Sequence, residues 1–355
     1  MARPAHLFDF AVVVLLAAVM ACSSIGCGLS EFDPSSKIST VRVLASRTDK
    51  PYAAPGATVT VEVLAYDARK IRPEPMKIYW LPFLCKNPIQ DLYYACFAQL
   101  SEGGMMMAPS PAGAFLKPGV DLTPFLPSGA KYTVTMPMDI VTSHPVVPGA
   151  DIPYGLGIVF NIACAGHVEL VERDPRNPQA VPFGCFDAAK NRLGPEDYVI
   201  GFSRIYGYDT RTNANPEITE AHLEGAKIDL HDGIIVDHCT SVPKDTTGAA
   251  ATAAQMACPK IKLDVVVPES SQEPNPSDHG PDGSVRKEQV WAAYYATLGK
   301  LGSDARLLYD AVSGKVPGTE NEYQAPMEAG EGTVWIVVHD NRGGANWLEL
   351  PLHVK

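Results

Sequence analysis

Positive charge is scarce in this sequence. Its 29 Lys and Arg residues face 40 Asp and Glu, a formal net charge of −11, and the basic residues are spread along the chain rather than massed. A surface for nucleic acid needs such a mass to displace the counterions of a phosphate backbone, so nucleic acid is set aside as a partner. The chain has no H-E-x-x-H, no P-loop and no G-x-G-x-x-G, which removes the common zinc-protease, nucleotide and dinucleotide readings. It has no C-x₂-C pair to begin a zinc site. The nearest approach to a nucleophile elbow, Gly201-Phe-Ser-Arg-Ile205, lacks the second glycine that turns a strand sharply into a helix. No catalytic residue, cofactor or metal is therefore assigned. Uninterrupted helical stretches are missing as well, because 29 Gly and 31 Pro punctuate the chain.

No apolar run reaches the roughly 20 residues of a membrane-spanning helix. The longest, residues 10–21, has the length of a signal-peptide core and follows a short amino-terminal segment carrying Arg3. It leads into VVVLLAAVMACSSIGCGLSEF, which places Cys22 and Cys27 at its polar end. Val19-Met-Ala-Cys22 resembles the lipobox of bacterial lipoproteins, in which the cysteine becomes an acylated amino terminus. Cys27, preceded by Gly26, is the alternative. The resemblance implies a leader over 1–21, a lipid anchor and tether over 22–37, and a place in the cell envelope at the outer membrane, since Ser23 or Gly28 rather than Asp follows the cysteine. More than one acyl chain is needed for stable anchoring, and this family supplies it.

Past the leader stand Cys85, Cys96, Cys164, Cys185, Cys239 and Cys258. An exported chain meets an oxidising compartment where cysteines pair. Six allow 15 connectivities, of which the sequential one is simplest, each pair bracketing a Pro-, Gly- or Ala-containing segment.

Short alternating or β-branched runs fill the chain: VRVLAS from Val41, TVTVEVLAY from Thr58, KIYW from Lys77, YTVTM from Tyr132, LGIVFNI from Leu156 and VIGFSRIYGY from Val199. These read as strands by period and composition. The second half continues with residues 218–223, KIKLDVVV from Lys260, QVWAAYYAT from Gln289, TVWIVVH from Thr333 and WLELPLHV from Trp347. Asp340-Asn-Arg-Gly-Gly joins the last two as a hairpin turn. Val290, Tyr294 and Leu298 are also spaced as on a helix, but strand is preferred. One short helix is expected over 249–256.

YAAPGATVTVEVLAYD from Tyr52 looks like the opening strands of bacterial immunoglobulin-like or PKD-like modules, and GTVWIVVHDNRGG from Gly332 looks like a closing hairpin of one. With the lipobox, the chain resembles uncharacterised envelope lipoproteins of myxobacterial type. That resemblance implies an all-β fold of two immunoglobulin-like β-sandwich domains in tandem at a membrane surface, and no activity. The boundary is set at Asn213-Ala-Asn-Pro-Glu217, giving domains over 38–211 and 212–355. The first exceeds the ~100 residues of a minimal sandwich, so insertions are expected over 81–129 and 167–197, where binding residues on loops usually sit.

Four local features have a bland and a sharper reading. Asp278, Asp282 and Gly283 begin like a calcium loop, but Gly280 and Gln289 replace needed ligands, which leaves a solvated turn after the Pro-rich linker 268–281. His231, Asp232, Asp237 and His238 offer metal-ligand types, yet His231 and His238 are an odd number of residues apart and read as surface polarity on a loop. Met105-Met-Met offers thioethers and reads as packing. Trp80, Trp291, Trp335 and Trp347 could form a carbohydrate-stacking platform and read as core or half-buried strand residues. The function expected is non-enzymatic: an envelope lipoprotein held by its lipid that binds a protein or glycan or braces an assembly. The rival is a polysaccharide- or cell-wall-acting hydrolase or its accessory module, recognisable by a cleft with paired carboxylates.

Overall fold

The computed structural model describes residues 34–97, 118–145, 152–172, 176–177, 180–240 and 258–355. The leader, Cys22, Cys27, the Met105 run and the helix expected over 249–256 lie outside the described residues. Ser35–Lys355 forms one compact unit.

The first strands are β1 (Val41–Thr48), β2 (Tyr52–Ala53), β3 (Thr58–Asp67), β4 (Lys77–Lys86), β5 (Lys131–Thr135), β6 (Gly155–Cys164), β7 (His167–Leu170), β8 (Phe183–Phe186) and β9 (Tyr198–Gly207). One sheet runs β1-β3-β5 and a second β2-β9-β6-β4, with β7-β8 a separate hairpin. The later strands are β10 (Glu220–Leu223), β11 (Ala226–Lys227), β12 (Ile234–Val236), β13 (Ile261–Val266), β14 (Pro274–His279), β15 (Val285–Lys287), β16 (Val290–Ala296), β17 (Lys300–Leu301), β18 (Ala305–Asp310), β19 (Gly314–Lys315), β20 (Asn321–Gln324), β21 (Gly330–Asp340) and β22 (Ala345–Val354). Their sheets run β11-β10-β13-β20-β17 and β12-β22-β21-β16-β18-β19, beside a β14-β15 hairpin.

The two sets share one plan. In an immunoglobulin sandwich the first, second and fifth strands pair in one sheet, and the third, sixth and seventh in the other. Here β1, β3 and β5 face β4, β6 and β9, and β10, β13 and β20 face β16, β21 and β22. Each set also adds a short strand parallel to its last one, β2 beside β9 and β12 beside β22. The chain is all-β, two immunoglobulin-like sandwiches in tandem.

Period-two patterning sets each core. Val59, Val61 and Val63 of β3 meet Trp80, Val159 and Ile205 inside the first sandwich, and Val290, Ala292, Tyr294 and Ala296 of β16 meet Leu263, Val265 and Tyr323 inside the second. The helix-like spacing of Val290, Tyr294 and Leu298 yields to a strand because Ala292 and Ala296 fill the alternate inward positions. The turn after β21 is as expected: Asp340 Oδ1 accepts the amides of Arg342 and Gly344 at 2.7 and 2.8 Å. Gly344 is obligatory, since a Cβ there would lie 2.0 Å from Asp340 Oδ2.

The insertions differ from the expectation. Leu81 to Lys86 belong to β4, and His167–Leu170 and Phe183–Phe186 are a hairpin. Their described residues cover the outer face of the β2-β9-β6-β4 sheet. Leu81, Phe83, Leu156, Ile158, Phe160 and Ile162 point outward into a core with Phe97, Leu122, Val168 and Phe183. β6 is therefore buried along its whole length, as its near-continuous apolar sequence requires of a strand covered on both faces. Disulfides Cys85–Cys96 and Cys164–Cys185 tie this cover to β4 and β6, and Cys239–Cys258 closes the third pair. The sequential pairing is the one found. Removing Cys85–Cys96 by Cys85→Ala with Cys96→Ala is expected to cost about 3 kcal/mol, the loop-closure value for its 11-residue span. Denaturant unfolding checks this, and equal midpoints for the parent and the double variant would count against a stapled cover.

The segment read as a linker, 268–281, is only partly that: Pro274–His279 pairs with Val285–Lys287. At the other end Ser35 Oγ donates to Asp304 at 2.7 Å, and Ile38 N donates to Ala296 O at 3.0 Å. The segment around 35–38 is thus fixed on the second sandwich.

Between the sandwiches lies a further apolar cluster. Trp335 and Val337 point away from the second core toward Ile38, Leu44, Ala45 and Leu64, while Val334, Ile336 and Val338 point into it. A bulge at Leu44 of β1 lets that strand serve both the first core and this junction.

Candidate functional site

Strand β9 carries the site. Along Phe202-Ser-Arg-Ile-Tyr-Gly-Tyr208, Ile205 turns into the first core, and Phe202, Arg204 and Tyr206 lie two apart on the outer face, with Tyr208 continuing the row. The inserted cover reaches the start of this row, where Tyr93 stacks on Phe202 with centroids 4.5 Å apart. Beyond it the row forms one wall of a cleft of ≈ 450 Å³. The other walls come from Arg47 of β1, Tyr52 of β2, Asn275 and Ser277 of β14, and Asn341 to Gly343 of the β21–β22 turn. Gly343, beside Tyr206, takes a φ of +97° that this turn requires and that favours glycine.

The aromatic rings touch in sequence. Tyr52 lies 4.5 Å from Tyr208 and 6.1 Å from Tyr206, and Tyr154 lies 6.2 Å from both Tyr206 and Tyr208. Tyr154 donates to Asp91, which also meets His144 Nε2 at 2.9 Å. Burial raises the Tyr206 phenol, and burial followed by the neighbouring Tyr52 pushes Tyr208 up to about 12. Both therefore stay protonated near neutral pH and can donate hydrogen bonds.

Four guanidiniums stand over rings around this cleft: Arg47 at 4.0 Å from Trp347, Arg342 at 4.9 Å from Tyr52, Arg204 at 5.2 Å from Phe202 and Arg211 at 5.6 Å from Tyr208. Two have carboxylate partners. Arg47 pairs with Glu62 at 2.8 Å, and Arg342 with buried Glu288 at 3.0 Å. Burial, reinforced by Asp340 and opposed by Arg342, raises Glu288 to about 8. Arg204 and Arg211 have no carboxylate within ion-pair distance among the described residues. Among the described residues no carboxylate lines the cleft.

No family model and no curated protein sequence matches this chain. Among solved structures, it is similar to Clostridium thermocellum CbhA fibronectin(III)-like modules, with 9% identity over 89% of this chain and 94% of that one, at a TM-score of 0.19. It is also similar to tandem Ig repeats of Dlar, with 10% identity over 90% and 99% of the two chains, at 0.20. Against dimeric latent PorU from Porphyromonas gingivalis the identity is 9% over 89% of this chain and 24% of that one, also at 0.20. At such scores the likeness carries no weight here, and the fold stands on strand order.

Apart from Ser203, the features singled out in the sequence fall outside the cleft. Ser203, of the rejected elbow, lies buried in β9 on the cleft lining, its hydroxyl without a hydrogen-bond partner among the described residues. Asp282 closes its own turn by accepting Ser284 Oγ at 2.6 Å, and Asp278 meets Arg286 at 3.5 Å. His231 and His238 stand at opposite ends of β12, His238 against the Lys355 carbonyl. No group of three or more metal-ligating side chains is gathered among the described residues. Trp80 and Trp335 are fully buried, while Trp291 stacks on His339 at 5.4 Å. Two larger hollows, beside Cys239–Cys258 and at the β14–β15 tip, have no comparable grouping of rings and cations. The sequence signal for the cleft was the alternation of aromatic and Arg in Phe202-x-Arg204-x-Tyr206-x-Tyr208, which was read only as strand.

Proposed function

We propose that this chain is a non-catalytic binding module of a cell envelope, which holds a ligand in the cleft between its two sandwiches. The carrying observation is the row Arg204 and Tyr206 of β9, with Tyr208 just after it, on the cleft wall beside the β21–β22 turn. Rigid rings supply contact area at small entropic cost and a polar end for hydrogen bonds. A lining without carboxylates supports binding over glycoside hydrolysis, which uses a carboxyl pair. The leader ending at Cys22, or at Cys27, would deliver the chain to the envelope on acyl chains, with domains meeting near 211 and 212.

Retention of envelope glycan or protein by the full chain tests the cleft. Tyr206→Ala is expected to weaken it at least about tenfold, as for a central aromatic contact, with the circular dichroism unchanged; retention equal to the parent would end the reading. Fatty-acid labelling tests the anchor: label should disappear in Cys22→Ser or Cys27→Ser, and a label surviving both changes would contradict it.

A further inference from the structure

We infer that the ligand of this cleft is a carboxylate-bearing carbohydrate, an oligosaccharide of uronic-acid type; this rests on the cleft being the binding site. In a chain of net charge −11, Arg204 of the cleft lining and Arg211 beside Tyr208 lack a carboxylate partner among the described residues. Arg204 is exposed and reaches no carboxylate. Arg211 lies over Tyr208, donates through Nη1 to Ser277, and keeps Nη2 buried with no acceptor. Arg204, on the cleft wall and open to solvent, is the guanidinium an incoming carboxylate can meet, and Arg211 adds positive charge beside Tyr208 and Ser277. Guanidinium groups match a planar carboxylate with paired donors.

The rest of the lining selects the scaffold that carries this carboxylate. Tyr206 and Tyr208 line the cleft with their rings, and the Tyr206 hydroxyl meets no partner among the described residues. Asn275, Ser277, Asn341 and Ser46 surround them with short amide and hydroxyl groups. Rings edged by neutral donors and acceptors fit the alternating apolar faces and hydroxyl rims of a sugar. An extended acidic peptide would instead draw its affinity from backbone pairing along a sheet edge, whereas this lining offers side-chain rings, amides and hydroxyls.

Calorimetric titration of the full chain with hexagalacturonate tests the inference, with the same oligosaccharide carboxyl-reduced to its neutral alcohol and hexaglutamate as comparisons. Binding of the uronate is expected to exceed either comparison by about tenfold or more, to weaken with added salt, and to fall about tenfold in both Arg204→Gln and Arg211→Gln. Equal binding of the reduced sugar, lost in Tyr206→Ala but kept in Arg204→Gln, would overturn the carboxylate while leaving the cleft as the site. Equal or tighter binding of hexaglutamate would overturn the sugar. No heat with any probe would overturn this inference, and the retention assay with Tyr206→Ala would still judge the cleft.

Discussion

Arg342→Met is expected to destabilise the protein by an amount that grows with pH, from about 1–3 kcal/mol at pH 5 to about 3–5 kcal/mol at pH 9. Arg342 sits in the β21–β22 turn with its side chain 7% exposed. It donates to Thr212 O at 2.6 Å and Pro274 O at 2.9 Å, contacts the Tyr52 hydroxyl at 3.3 Å, and meets Glu288 at 3.0 Å. One side chain thus joins the first sandwich, the connection between sandwiches, the β14–β15 hairpin and a buried acid. At low pH Glu288 is neutral, and the variant loses hydrogen bonds to two carbonyls. At high pH the unfolded chain has released the Glu288 proton, and without Arg342 the folded variant must either keep that proton or carry the charge beside Asp340 and Glu273 with no cation.

The sign for Glu288 in the parent protein follows from its raised value. Its carboxyl titrates near 8 when folded against an ordinary 4.5, so between those values the native state holds a proton that the unfolded chain has released. This contribution is complete below about pH 4.5, shrinks as pH climbs, and is gone above about pH 8. Glu288→Gln should flatten that decline, and combined with Arg342→Met it should recover much of the loss at pH 9. Urea midpoints at pH 5, 7 and 9 for the four proteins check both statements. A cost of Arg342→Met that does not vary with pH would show that the Glu288 pairing is not what matters.

Trp335→Ala is expected to cost about 3–5 kcal/mol, the range for deleting a fully buried tryptophan. Its location makes the loss distinctive. Trp335 is 0% exposed, packs edge-on to Tyr66 at 4.6 Å, and belongs to the cluster shared by β1, β3 and β21. Its neighbours Val334 and Ile336 face the second core, so the substitution empties the junction and spares that core. Hydrogen exchange should therefore quicken in β1 and β21 together, and a single unfolding transition should separate into two. Ile336→Ala, a control of similar cost, should quicken exchange in the second sandwich alone. Identical exchange patterns for the two variants would mean that Trp335 does not couple the sandwiches.

Much of the architecture was legible one strand at a time. TVTVEV from Thr58 alternates so cleanly that one face had to be buried, and Asp340-Asn-Arg-Gly-Gly could hardly be other than a turn. The disulfide partners followed from nearness along the chain. Harder to read were strands apolar on both faces, such as LGIVFNIAC of β6 and VWIVV of β21. Such a run declares burial without saying what lies on each side, and here one covers a core under inserted segments while the other covers a junction between sandwiches.

The cleft was less legible still. Phe202, Arg204, Tyr206 and Tyr208 are adjacent in sequence, so their common face was visible in the two-residue period. That this face ends in an open cleft depends on Tyr52, Ser277 and Gly343, which come from three distant stretches. Local sequence determined the all-β character, the turns and the alternation, because those arise from dihedral preference and period between near neighbours. Tertiary packing alone decided which faces became core, which guanidiniums lost their counterions and where rings were left uncovered, because burial and charge pairing depend on residues hundreds of positions apart.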